Sequence, residues 1–285
     1  MQGNNSQPAA SRGGDSRPIG VFDSGIGGLT VVSALRHVLP NESISYLCDT
    51  ARVPYGGKSQ TTVQRYSREI ASLLLEGDAK TIVVACNTAS ALALPVLKNE
   101  LPVTVTGVIQ PGAQAAAAAT RNGHIGVIGT RATIKSGAYE RAIRDLNPHA
   151  RVTARACPLL VPLIEEGWLQ SDVTDKVLMQ YLQPLLDADI DTLVLGCTHY
   201  PLLRPAIHRL LGDRVTLVDS AENCASAVRE LLSRENLNAA SDSAGILEVA
   251  LTDPPDAFLD VAHEALRLEI GEIQLRSVSA HPAAA

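Results

Sequence analysis

The chain of 285 residues is long enough to bury one large core or two ordinary ones. Hydrophobic residues make up 46% but aromatics only 3%, so the core must be built from Val, Leu, Ile and Ala. That composition suits buried parallel strands and excludes a stacking surface for single-stranded nucleic acid. The net charge is −6 with no run of Lys or Arg, which argues against a phosphate backbone as the main partner.

Residues 1–17 are small and polar with no apolar run, and read as a disordered arm, not a signal peptide. No later stretch is suited to crossing a membrane. Order begins at Pro18. A short apolar strand, 19–22, runs into Asp23, Ser24 and the glycine-rich turn at 25–28, and a helix follows over 29–39. A second strand covers 43–48. It leads into a loop with Pro54, Tyr55, Gly56 and Gly57. Over 60–77, Val63, Tyr66, Ile70, Leu73 and Leu74 recur at helical spacing.

Residues 81–92, TIVVACNTASAL, carry the clearest local signal. An apolar run from Ile82 to Ala85 turns polar at Cys86, Asn87 and Thr88, and helix formers follow over 89–97. This is strand, loop, helix. A strand at 103–108 comes next, and the Pro and Gly at 109–112 suggest a crossing point between domains. A helix at 114–120 precedes a strand at 124–128. One helix is expected over 134–146 with Thr133 near its N-cap, a strand at 152–156, and a helix at 171–187. Residues 192–203, TLVLGCTHYPLL, repeat the earlier grammar, with Cys197, Thr198 and His199 at the strand's mouth. A strand at 215–218, a helix at 221–234 and a polar loop at 236–245 follow. The remainder to 268 reads as a strand, a turn and a last helix, and 271–285 as a flexible tail.

Strands alternating with helices predict an α/β protein with mainly parallel sheets. The chain also echoes itself. The GVFDS that starts at Gly20 matches GVIGT starting at Gly126, the loop of Pro54 matches that of Pro162, and Cys86-Asn-Thr matches Cys197-Thr-His. The matches keep their order at similar offsets, so two pseudo-symmetric halves facing each other are the simplest account.

Ligands of parallel sheets bind past the carboxyl ends of strands, where Cys86 and Cys197 fall. The five cysteines (Cys48, Cys86, Cys157, Cys197, Cys224) are widely spaced and without a CxxC pair. They fit neither a disulfide framework nor a zinc site, and imply a reducing, cytosolic compartment with no metal. Cys48, Cys157 and Cys224 read as buried packing thiols. The glycine-rich turn is a poor dinucleotide loop, because Asp23 would repel a pyrophosphate.

Two thiols from opposed halves suggest three chemistries. A redox pair requires the sulfurs to touch, and nucleophilic hydrolysis leaves one thiol surplus. Racemisation or epimerisation uses both, one as base and one as acid on opposite faces of a carbon. His199 and Asp23 would tune the thiols, and Glu165 or Glu166 would orient His199 or meet an amino group. Asn87, Thr88 and Thr198, with helix-start amides, suit carboxylate capture. Tyr55 and Gly56 would line the cleft. No strand-mouth cluster holds a lysine except Lys58, which disfavours a pyridoxal Schiff base.

The stretches DSGIGGLTV, DTARVPYG, ACNTAS, CPLLVPLIEEG and GCTHYPLL resemble the glutamate racemases, within the cofactor-independent aspartate/glutamate racemase family. The resemblance runs in order from Pro18 to about residue 268. It implies an Asp/Glu racemase fold with the active site at the interface of two α/β domains, 18–110 with 219–270 and 111–218. It places the family's catalytic cysteines on Cys86 and Cys197 and its auxiliary glutamate on Glu165, with Asp23 and His199 as further catalytic groups. Substrate contacts are implied for Asp23, Ser24, Tyr55, Gly56, Asn87, Thr88, Thr198 and His199. It further implies glutamate as substrate, D-glutamate supply for peptidoglycan, no cofactor, and a homodimer without membrane or nucleic-acid partners. An aspartate racemase, a non-enzymatic amino-acid-binding protein and a dithiol oxidoreductase are the rivals.

Overall fold

A computed structural model describes residues 14–253 and 267–278. From its start the chain forms β1 (Ile19–Asp23), α1 (Leu29–Val38), β2 (Ile44–Cys48), α2 (Gln60–Glu76) and β3 (Thr81–Val84). It continues through α3 (Asn87–Leu92), α4 (Leu94–Glu100), β4 (Val105–Gly107) and α5 (Ile109–Ala119). Then come β5 (His124–Gly129), α6 (Arg131–Ser136), α7 (Ala138–Leu146), β6 (Arg151–Ala156), α8 (Leu160–Glu165), α9 (Asp172–Asp187) and β7 (Thr192–Gly196). The described chain closes with α10 (Arg204–Leu211), β8 (Thr216–Asp219), α11 (Ser220–Glu235), β9 (Leu247–Leu251) and β10 (Ile273–Leu275).

Two parallel sheets result. The first has the order β10-β9-β2-β1-β3-β4 and the second β6-β5-β7-β8. Every residue of β1, β3 and β7 is buried, as expected of aliphatic strands covered on both faces. On the first sheet, α1 and α11 pack on one face and α2, α3 and α4 on the other. On the second, α5 and α7 cover one face and α8, α9 and α10 the other.

The topology determines where ligands go. The chain leaves β1 for β2 on one side and returns to β3 on the other, so the strand order reverses between β1 and β3. The second sheet does the same between β5 and β7. Both reversals open a crevice at the strands' carboxyl ends.

Local chemistry explains the helix starts. Ser59 caps α2 by accepting from the Thr62 amide at 3.2 Å, and Asp219 caps α11 through the Ala221 amide at 2.7 Å.

Several expectations need correction. Residues 109–112 do lie where the chain crosses from the first sheet to the second, between β4 and β5, but as the opening of α5: Pro111 falls in its first turn, where its missing N–H costs nothing. The helix expected over 134–146 is two helices, broken by Gly137 at φ 64°, with Thr130 and not Thr133 as the cap of α6. The helix expected over 89–97 also divides, since Pro95 opens a new one, α4. Part of the tail read as flexible is a strand: β10 pairs with β9 in parallel. Residues 14–17 are not a free arm either, for the Asp15 amide donates to the Asn238 carbonyl at 2.9 Å. Residues 1–13, most of the expected last helix and the tail from 279 lie outside the described residues.

Candidate active site

Both reversal crevices open into one cavity of about 410 Å³. The first sheet brings Ser24 from the end of β1 and Cys86, Asn87 and Thr88 from beyond β3. The second brings Thr130 from the end of β5 and Cys197, Thr198 and His199 from beyond β7. Tyr55, Gly56 and Glu165 complete the walls. Asp23 lies buried behind Ser24. Every candidate residue named from the sequence except Glu166, the alternative to Glu165, therefore gathers at or beside this one space, and the thiols of Cys86 and Cys197 approach it from opposed sheets.

The two thiols differ in their surroundings. Cys86 is the N-cap of α3, and its Sγ accepts from the Ala89 amide at 3.5 Å and lies 3.5 Å from Ser24 Oγ. Burial, reinforced by the neighbouring Asp23 carboxylate, pushes the Cys86 thiol well up. Burial also raises Asp23, against the opposing pull of His199. Cys197 Sγ instead faces His199 Nδ1 at 3.8 Å, and His199 Nε2 reaches Glu165 Oε1 at 3.1 Å. Burial works against the imidazolium, but its hydrogen bonds to Cys197 and Glu165 outweigh that and raise His199 to about 10. That direction favours the imidazolium, the form that can donate from both nitrogens, one toward a sulfur and one toward a carboxylate. One thiol faces a carboxyl group and the other an imidazole.

Polar groups link the halves. Thr198 Oγ1 donates to Asp23 Oδ2 at 3.1 Å. Thr88 Oγ1 lies 2.9 Å from Thr130 Oγ1 and 3.2 Å from Thr133 Oγ1. Tyr139 donates to Asn87 Oδ1 at 2.7 Å across the halves, whereas Tyr55 donates to Asp49 within the first. Four buried side-chain polar atoms have no partner among the described residues, and two of them belong to candidate site residues: Asp23 Oδ1, an acceptor, and Asn87 Nδ2, a donor. A ligand carrying both an ammonium and a carboxylate would match them. Of the paired glutamates, Glu165 is the one on the cavity and against His199.

Gly27 is required by a close approach. A Cβ there would stand 2.4 Å from His199 Nδ1 and 2.6 Å from Thr198 Oγ1. The glycine thus lets the turn before α1 press against the Cys197–His199 loop.

Some residues escaped the sequence reading. Thr130 takes the place in the second half that Ser24 takes in the first, and the match of GVFDS to GVIGT already pointed to it. Cys157, read as packing, lines the cavity, although its thiol is pushed up to about 12 by burial. Arg131 and Val161 line the walls without any signal in their spacing. Among the described residues, no group of three or more His, Cys, Asp or Glu is placed to hold a metal ion. No described helix is long and apolar enough to cross a membrane.

The geometry can be set beside known proteins. Residues 29–228 match the family model for Asp/Glu/hydantoin racemases. A glutamate racemase of Geobacter metallireducens is 50% identical over 93% of this chain and 98% of its own. Among solved structures, a glutamate racemase of Bacillus anthracis superposes with a TM-score of 0.87 at 40% identity, covering 93% of this chain and 98% of that one. Another, from Francisella tularensis in complex with D-glutamate, has a TM-score of 0.87 at 36% identity, over 94% of this chain and 100% of that one.

Proposed function

The chain belongs to the Asp/Glu/hydantoin racemase family, and on that footing we propose that it interconverts L- and D-glutamate without a cofactor. The observation that carries this reading is the placement of Cys86 and Cys197 on opposite walls of one cavity, each at its sheet's reversal crevice.

In the reaction, one sulfur acts as thiolate and removes the α-proton of glutamate. The C–H electron pair stays on carbon as a carbanion, stabilised by the enolate-like sharing of charge with the α-carboxyl. The other thiol delivers its own proton to the opposite face, and the inverted amino acid leaves with the two sulfurs' protonation states exchanged. In the family resemblance Cys86 serves D-glutamate and Cys197 serves L-glutamate. His199, held by Glu165, stands against Cys197, while Asp23 stands beside Cys86 and disfavours negative charge there. Asn87 Nδ2 is free to donate to a substrate carboxylate, and Asp23 Oδ1 to accept from the ammonium. Ser24, Tyr55, Gly56, Thr88 and Thr198 bound the rest of the substrate. Preorganised donors in a buried site supply the electrostatic stabilisation that a cofactor otherwise gives.

The remaining parts of the reading follow from the resemblance. The halves 18–110 with 219–270 and 111–218 act as two lobes that hold substrate between them. The protein works in the cytoplasm as a homodimer and supplies D-glutamate for peptidoglycan. The test is to incubate pyridoxal-free protein with L-glutamate in deuterated water. Loss of optical activity with deuterium entering at Cα is the expected result. Inertness toward glutamate with turnover of aspartate would move the substrate, and inertness toward both would overturn the reading.

A further inference from the structure

We propose that Thr30 is a positioning residue for the reaction: its hydroxyl, reaching from the first lobe, fixes the catalytic Cys197–His199 loop of the second. The inference rests on the racemase reading above and concerns how that site is held.

The argument starts from the loop's own backbone. After Cys197 the chain tightens into successive turns. The Tyr200 amide donates to the Cys197 carbonyl at 3.1 Å, and the Leu202 amide to the His199 carbonyl at 3.1 Å. Between them the carbonyl of Thr198 would take its bond from residue 201 by the same three-residue step. That residue is Pro201, which has no N–H to give. Thr198 is 4% exposed, so its carbonyl needs a partner other than bulk water.

Thr30 supplies the missing donor. It sits in the first turn of α1, 6% exposed, and its Oγ1 lies 3.1 Å from the Thr198 carbonyl and 2.8 Å from that of Gly27. One hydroxyl proton is thus shared between a carbonyl of each lobe. Beside it Gly27 allows the contact, since any side chain there would collide with Thr198 and His199. From Thr198 the connection runs on: its hydroxyl donates to Asp23, and its successor is His199, the donor toward Cys197. Loss of the Thr30 hydroxyl frees the one peptide that orients Thr198 and His199 together. Such a change acts on the geometry of proton transfer, not on the substrate's binding groups.

The experiment uses the full chain with Thr30→Val and Thr30→Ser, and follows racemisation in both directions by circular dichroism. Thr30→Val, nearly the same shape without the hydroxyl, is expected to lower kcat about tenfold or more, with KM changed less than twofold. Thr30→Ser should stay within twofold of the parent. Adding Pro201→Ala to Thr30→Val restores an N–H at residue 201 and should recover part of the loss. The His199 ring signals in NMR should move in Thr30→Val and return in Thr30→Ser. A Thr30→Val enzyme with kcat within twofold of the parent overturns the inference, as does a Thr30→Ser enzyme as slow as Thr30→Val. If Thr30→Val does not fold, Thr30→Ala takes its place under the same criteria. If the parent itself fails to racemise glutamate, the functional reading falls. The positioning role is then judged on the His199 signals alone, and unchanged signals in Thr30→Val overturn it.

Discussion

Gly27→Ala tests the site through a single added carbon. Gly27 is not among the glycines with a positive φ, so alanine carries no large backbone penalty there. The whole effect comes from where the Cβ would stand: 2.4 Å from His199 Nδ1, 2.8 Å from His199 Cε1 and 2.6 Å from Thr198 Oγ1. Against an ordinary contact of about 3.5 Å, the ring must retreat by about 1 Å. A displacement of that size at a proton-transferring group costs about a hundredfold in rate, which is about 2.7 kcal/mol of barrier. Crowding one methyl into a packed turn costs about 1–3 kcal/mol of stability, so the protein should remain folded. The assay is kcat in both directions by circular dichroism, with a thermal melt to confirm the fold. Gly112→Ala serves as the control. Its Cβ would meet Ser220 and Tyr139 at an ordinary 3.4 Å, and it should keep activity within twofold. A Gly27→Ala enzyme that melts normally and turns over at the parent rate would refute the claim that His199 must stand where it does.

Other outcomes follow from the same contacts. Cys86→Ala and Cys197→Ala should each abolish racemisation, by at least about a thousandfold, with the thermal melt little changed; full activity in either would sink the two-thiol mechanism. His199, raised in the folded protein from 6.5 to about 10, stabilises the fold as a cation. That contribution is complete below pH 6.5, shrinks as pH rises, and is gone above about 10. The gap in unfolding free energy between the parent and His199→Gln should therefore be widest in mild acid and narrow on the alkaline side. A gap that widens with pH would reverse the sign of the argument. Away from the site, Lys80 Nζ meets Glu42 Oε2 at 2.5 Å and the Asp15 carbonyl at 2.8 Å, with both side chains buried. Lys80→Met should cost about 3–5 kcal/mol in urea unfolding by leaving Glu42 uncompensated, whereas Lys80→Met with Glu42→Leu should recover most of it.

How much of this could be read beforehand depends on the range over which each feature is decided. The fold class was legible because β1, β3 and β7 are buried on both faces, and such strands write themselves as aliphatic runs that break into small polar residues at the mouth. The pairing of Cys86 with Cys197 was legible for a related reason: two halves with the same strand order place equivalent residues at equivalent crevices, so the internal echo was already a statement about three-dimensional position. Breaks inside helices were less visible. Gly137 and Pro95 each end a turn within a run of otherwise good helix formers, and periodicity alone averages over one bad residue. The strand β10 was hidden because only one side of it is paired: at an edge, Ile273–Leu275 needs no continuous apolar run, and its sequence looks like that of a loop. Least legible were contacts that exist only between the lobes. Nothing within DSGIGGLTV says that Thr30 must serve a carbonyl 168 residues further on. Yet the requirement is written in two places at once, as a hydroxyl in the first turn of α1 and as a proline at 201 that leaves Thr198 without a local donor.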